Sequence, residues 1–173
     1  FSSPPALLTV GEVKPRKGLH LSLAAFARVK AVLPQARYWI VGHYRRNNYY
    51  TRLQDIIATE GLEEVSFMGQ VPAETLARCY QSASVFLLTP QQVGLHFEGF
   101  GLVYLEAGAY GLPVVATRSG GVPDAVRDGE TGLLAPAGDI EGIATALLHL
   151  LGDRELSRQL GMGNRRWAEQ LTW

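Results

Sequence analysis

The chain has 173 residues, which suits one domain rather than two, and its sixteen basic residues are balanced by sixteen acidic ones. A composition that is 47% hydrophobic and 18% charged excludes a disordered chain, and zero net charge leaves no long-range field for nucleic acid or an anionic membrane. Cys79 is the only cysteine, which rules out an intrachain disulfide, so a reducing, cytoplasmic setting is expected.

Residues 1–5, Phe1-Ser2-Ser3-Pro4-Pro5, read as a linker with no targeting character. Ala6 to Val10 reads as a strand. Leu19, Leu23, Phe26, Ala27 and Val29 then recur at helix spacing until Pro34 stops the pattern. Tyr38 to Val41 is a second strand, ending at Gly42, and Tyr49 to Ala58 carries a second helical stripe closed by Gly61. A strand over Val65 to Met68 and a helix over Pro72 to Tyr80 follow, with the proline near the first turn.

The apolar run Val85 to Leu88 predicts a strand in the middle of the sheet. Leu102 to Tyr110 reads as a helix, Pro113 to Ala116 as a buried strand and Gly132 to Ala135 as one more short strand. Two polar-faced helices begin near Ile140 and Arg154, and no apolar run approaches the length of a membrane span. Strand–helix alternation with short connections predicts an α/β fold, a doubly wound parallel sheet in a single Rossmann-like domain over residues 6–173.

In such sheets ligands lie outside the carboxyl ends of the strands, where the strand order reverses. The segments that matter are therefore Gly11 to Gly18, Gly42 to Arg46, Gly69 to Val71, Thr89 to Gly101 and Thr117 to Gly121. The richest is Glu98-Gly99-Phe100-Gly101-Leu102-Val103-Tyr104-Leu105-Glu106. Its glycines let the backbone turn and approach a ligand, and the unpaired amides at the start of the following helix suit phosphate oxygens. Leu102 and Glu106 share a helix face, and a rise of about 1.5 Å per residue puts Glu106 roughly 6–7 Å from the helix start. A diphosphate at that end would leave a ribose beside Glu106 and a sugar beside Glu98, whose carboxylates accept from hydroxyls.

Taken singly, Glu106 reads as a surface helix residue and Glu98 as a loop carboxylate near a helix start. Together with Phe100 and the two glycines they are less simply explained. Lys17 is placed to reach a diphosphate as a point charge, although alone it reads as a solvated loop lysine. Its segment, Gly11 to Gly18, is neither a P-loop nor a dinucleotide fingerprint. His20, His43, His96 and His149 show no metal-ligand spacing, so no metal is expected; His96 stands out for preceding Glu98 by two residues. Trp39 and Trp167 read as packing residues.

These residues resemble the group 1 retaining glycosyltransferases, enzymes of the two-Rossmann-domain (GT-B) type. Glu98 and Glu106 match the family's E-x7-E element, which continues here into Ala107 to Ala116, with Gly120-Gly121-Val122-Pro123 and Gly129 to Leu134 as further landmarks. The resemblance implies a C-terminal, donor-binding domain that uses a nucleoside diphosphate sugar and needs no cofactor. It implies that Glu98 contacts the donor sugar as the catalytic carboxylate, with His96 and nearby backbone setting sugar choice. Glu106 holds the ribose, and backbone from Gly99 and Phe100 through Gly101, Leu102 and Val103 holds the diphosphate. Lys17 matches the family's diphosphate lysine, and Gln70 and Val71 match the turn that packs on the base. The pattern departs at Glu12, where the family often has an arginine; Arg16 is a candidate to supply that charge. The resemblance also implies an acceptor domain ahead of the linker, a returning helix after Trp173, and any membrane association through the acceptor domain.

Two other classes fit parts of the pattern. A glycoside hydrolase would use Glu98 and Glu106 as acid and base, yet it has no need of a phosphate-ready helix end. A non-catalytic nucleotide-sugar binding module would accommodate Glu12.

Overall fold

A computed structural model provides the structure, described for residues 4–96 and 98–171. Phe1, Ser2 and Ser3 of the expected linker and Trp173 lie outside the described residues. In chain order the elements are β1 (Ala6–Val10), a 3₁₀ turn (Pro15–Lys17), α1 (Leu19–Val32), β2 (Arg37–Val41), α2 (Asn48–Thr59), β3 (Val65–Gly69) and α3 (Ala73–Ser82). They continue with β4 (Val85–Leu88), α4 (Leu102–Ala109), β5 (Val114–Arg118), α5 (Val122–Ala125), β6 (Gly132–Pro136), α6 (Ile140–Gly152) and α7 (Arg154–Gln170).

The six strands form one sheet in the order β3-β2-β1-β4-β5-β6, and every pairing is parallel. Parallel sheets need cover on both faces, and the strand residues alternate accordingly. Leu7, Tyr38, Ile40, Val85, Leu87 and Val115 face a core shared with α1, α2 and α6. Leu8, Val10, Phe86, Leu88, Val114 and Ala116 face a second core with α3, α4 and α5. Because β1 pairs with both β2 and β4, the strand order reverses between β1 and β4, and the loops after these two strands flank the crevice.

The expected strand over Pro113 to Ala116 runs instead from Val114 to Arg118, because β6 pairs with it as far as Arg118. The turn at Pro15–Lys17 and the four-residue α5 are additions to the sequence reading; both are too short to show a helical stripe.

α7 lies along α4, and Asn164, fully buried, ties the two together. Its Nδ2 donates to the carbonyls of Leu112 at 2.8 Å and Tyr104 at 3.4 Å. Among the described residues no helix is long and apolar enough to cross a membrane.

Candidate functional site

Buried hydroxyls anchor the crevice. Thr89, just past β4, donates to the carbonyl of Gly18 at 2.8 Å and pairs with Ser22 of α1 at 2.7 Å. Thr9 of β1 pairs with the Tyr38 hydroxyl at 2.7 Å, and burial pushes that phenol up to about 12. Gly18 makes the approach possible: its φ is 68°, and a Cβ there would lie 1.8 Å from the carbonyl oxygen of Thr89. The amide of Gln91 also donates to the carbonyl of Arg16 at 2.9 Å. The loop after β1 is thereby fastened to the loop after β4.

This fastening sets the charges. Lys17 runs past Gly11 and places its Nζ 2.9 Å from Oε1 and 2.8 Å from Oε2 of Glu98. Arg16 donates from Nη1 to Oε2 at 2.8 Å. Glu98 is buried, 5% exposed, and its backbone carbonyl accepts from the amide of Gly121 at 3.0 Å. Segments following β1, β4 and β5 therefore meet at one residue, the first at its carboxylate and the last at its backbone carbonyl. The sequence reading gave Lys17 to a diphosphate and Glu98 to a sugar as separate contacts; in the structure they are bonded to each other.

Just beyond, α4 starts at Leu102 behind Gly101, whose φ is 75° and which offers no side-chain cap. The amides of Leu102 and Val103 fall in the turn that has no intrahelical carbonyl to meet, beside the positive end of the helix. Gly99 and Phe100 lie exposed at its approach. Glu106, one turn along, is exposed and accepts from the hydroxyl of Tyr80 in α3 at 2.9 Å. Burial first, and the Glu106 carboxylate second, push the Tyr80 phenol above its ordinary range, which keeps it a donor.

His96 borders a cavity of about 310 Å³ with Lys14, Pro15, Arg16 and Val93, which puts it beside the charged cluster. Gln70 is exposed and Val71 half-buried, at the carboxyl end of the edge strand β3. Glu12 is half-buried and paired with Lys14 at 2.7 Å, turned into a local charge pair rather than the cluster around Glu98. His20, at the start of α1, contacts the Tyr49 hydroxyl through Nδ1 at 3.0 Å and Gln91 through Nε2 at 3.3 Å. Burial, and secondarily Arg52, hold its imidazole down to about 4, so it is neutral at pH 7.

Sequence reasoning missed Tyr80, Tyr104 and Gln91. Tyr80 lies 26 residues from Glu106 and leaves no local signal; Tyr104 and Gln91 lie within the segments singled out, but their contacts depend on the packed fold. Gly18 directly after Lys17 was a usable one, since a glycine there permits a left-handed turn.

A parallel sheet with an uncapped helix start, a buried lysine and a half-buried arginine at its topological switch defines a doubly wound α/β domain with its crevice at the strand ends. The chain belongs to the family of glycosyl transferases group 1, whose profile matches residues 1–167. It is 36% identical over 167 residues to the GDP-mannose-dependent alpha-(1-6)-phosphatidylinositol monomannoside mannosyltransferase of Mycolicibacterium smegmatis, an alignment covering 95% of this chain and 43% of the relative. Among solved structures it resembles sucrose-phosphate synthase from Thermosynechococcus elongatus, with a TM-score of 0.85 at 33% identity over 97% of this chain and 41% of that one. HepE of Anabaena, solved in complex with UDP, superposes with a TM-score of 0.86 at 25% identity over 98% of this chain and 45% of that chain. The chain thus spans less than half the length of each of these proteins. A glycoside hydrolase reading of Glu98 and Glu106 finds no support in this family membership.

Proposed function

We propose that this chain is the donor-binding part of a retaining glycosyltransferase that moves a hexose from a nucleoside diphosphate sugar to a carbohydrate, lipid or small-molecule acceptor. The observation that carries the reading is the buried Glu98 with Lys17 and Arg16, set beside an uncapped helix start at the strand switch. Burying the ionised Lys17 and Glu98 is costly, so such a cluster at the ligand-binding edge of this fold points to use rather than to packing.

In the proposed complex the diphosphate sits on the amides from Gly99 to Val103, with Lys17 and Arg16 taking the charge that accumulates as the anomeric C–O bond breaks. Glu98 orients sugar hydroxyls and His96 borders the sugar. Glu106, already aimed by Tyr80, receives the ribose, and Gln70 and Val71 meet the base. The lysine, the arginine and the helix end supply the positive charge, so the reading requires no metal and no cofactor. An acceptor domain of the parent chain would close the cleft. That relatives are GDP-mannose-dependent or bind UDP supports the donor class.

Titration calorimetry with chelator present tests the reading. Nucleoside diphosphate should bind at least about tenfold better than the nucleoside, the difference of roughly one charge-assisted hydrogen bond, and Lys17→Ala should remove most of that preference. If the affinity disappears with the chelator, or Lys17→Ala leaves the preference intact, the metal-free diphosphate site is wrong.

A further inference from the structure

Tyr104 is fully buried under the start of α4, and its hydroxyl has no hydrogen-bond partner among the described residues. Leaving a hydroxyl unpaired in a core costs free energy, and the fold has not replaced it with phenylalanine. Its surroundings are apolar on most sides: Phe86 meets the ring edge-on at 5.8 Å, within the core that α3, α4 and α5 share with the sheet. One side is different. A Cβ placed on Gly101 would lie 2.6 Å from Cε2 of Tyr104 and 3.7 Å from Oε1 of Glu98. The phenol edge and the buried carboxylate thus flank the same glycine. The two groups also interact electrostatically: after burial itself, the Glu98 charge is what pushes the Tyr104 phenol up, so it stays protonated and available as a donor.

Glu98 needs a donor in reserve. In this structure its oxygens are satisfied by Lys17 and Arg16. On the reading above, an arriving diphosphate competes for both cations. A buried carboxylate stripped of these partners is strongly destabilised; sugar hydroxyls would replace them only in part and only when the sugar is attached, so binding is opposed unless a protein donor takes over.

We propose that the Tyr104 hydroxyl is this reserve donor: it takes up the Glu98 carboxylate when ligand draws Lys17 and Arg16 away. Tyr104 is a positioning residue that acts through Glu98 without touching the ligand. The inference rests on the donor-site reading, but it concerns a residue for which that reading has no use.

The test is Tyr104→Phe in this chain, measured by thermal melts and by calorimetry with UDP, GDP, UDP-glucose and GDP-mannose. Removing an unpaired buried hydroxyl should leave the ligand-free melting temperature unchanged or raise it. Affinity for whichever probe the wild type binds should nonetheless fall by about tenfold or more, the scale of one lost hydrogen bond to a charged group. In a Glu98→Gln background the same substitution should have little further effect on affinity, because the carboxylate it serves is gone. A stability and an affinity that fall together would assign Tyr104 a packing role and overturn the proposal. So would an affinity within twofold of wild type. If the wild-type chain binds none of the four probes, the donor-site reading itself fails and this inference falls with it.

Discussion

The pair Lys17–Glu98 at the strand switch and the pair Arg158–Glu155 on α7 are nearly the same length, 2.8 Å and 2.6 Å, and opposite in meaning. The α7 side chains are 60% and 72% exposed, whereas those at the strand switch are 11% and 7% exposed. On α7 the partners sit three residues apart on one helix face, where sequence spacing alone brings them together. Lys17 and Glu98 are 81 residues apart and meet because β1 and β4 are neighbours and Gly18 lets their loops touch. Water can replace either α7 partner at little cost. At the switch a lost partner leaves a charge in a place water scarcely reaches. The contrast separates ion pairs that decorate a surface from one held for a purpose.

The largest break in this comparison should come from Glu98→Ala. It leaves Lys17 buried without a counter-charge and should cost about 3 kcal/mol of stability in urea unfolding, near the low end for a broken buried pair because Arg16 is partly solvated. A loss no greater than that of Arg158→Gln would show that burial does not distinguish the two pairs.

Gly18→Ala attacks the fastening rather than the charges. A Cβ at φ 68° would meet the carbonyl oxygen of Thr89 at 1.8 Å, so the loops must part. Left-handed strain and overpacking together suggest roughly 2–3 kcal/mol, and the variant should lose diphosphate affinity as well as stability. Should calorimetry find affinity retained in a destabilised Gly18→Ala, the loop contact would not be what positions Lys17.

Much of this was legible beforehand, and the reasons are local. The helical stripe from Leu19 to Val29 and the apolar run Val85 to Leu88 depend on neighbours a few residues apart, so periodicity finds them. The glycines around Phe100 likewise announce a turn before a helix, and Gly101 does take a left-handed conformation there. What was not legible depends on pairings across the fold. Nothing near Glu98 indicates that two cations already occupy it, and nothing near Glu106 indicates that Tyr80 aims it. The short α5 escaped because four residues begun by Val122 and Pro123 cannot display a stripe. Nothing in the sequence singles out Tyr104 within its motif, since its missing partner is a property of the packed core.

Acid should separate the two regions by pH window. His20, which supports Gln91 behind the Arg16 loop, is held down to about 4 by burial and, secondarily, by Arg52, while the unfolded chain takes up the proton near 6.5. The folded state therefore binds fewer protons than the unfolded one in that interval, and stability falls as pH drops from about 6.5 toward about 4. On α7 the hydrogen bond and charge of Arg158 hold the Glu155 carboxyl below its usual range, so its small contribution is present above about 4.5 and is lost only at lower pH. His20→Gln should flatten the upper part of a melting-temperature profile and leave the lower part alone. A profile unchanged between pH 6.5 and 4.5 would mean that His20 does not titrate with folding.

The smallest effect belongs to Arg158→Gln, and its smallness is the point. The arginine is exposed, it shares a helix face with Glu155, and its other contact is Met162 Sδ at 3.0 Å, a weak acceptor. In water the two charges exchange each other for solvent, and ordering both side chains cancels most of the gain. Thermal melts of Arg158→Gln should therefore match wild type within the precision of the measurement. High salt should not alter that result, because little interaction remains to screen. The same salt series on Glu98→Ala against wild type should also leave their difference intact, for the opposite reason: the Lys17 contact is shielded from ions by burial. A wild-type advantage over Glu98→Ala that vanishes in concentrated salt would mean the cluster is solvated after all, and the distinction between the two pairs would collapse.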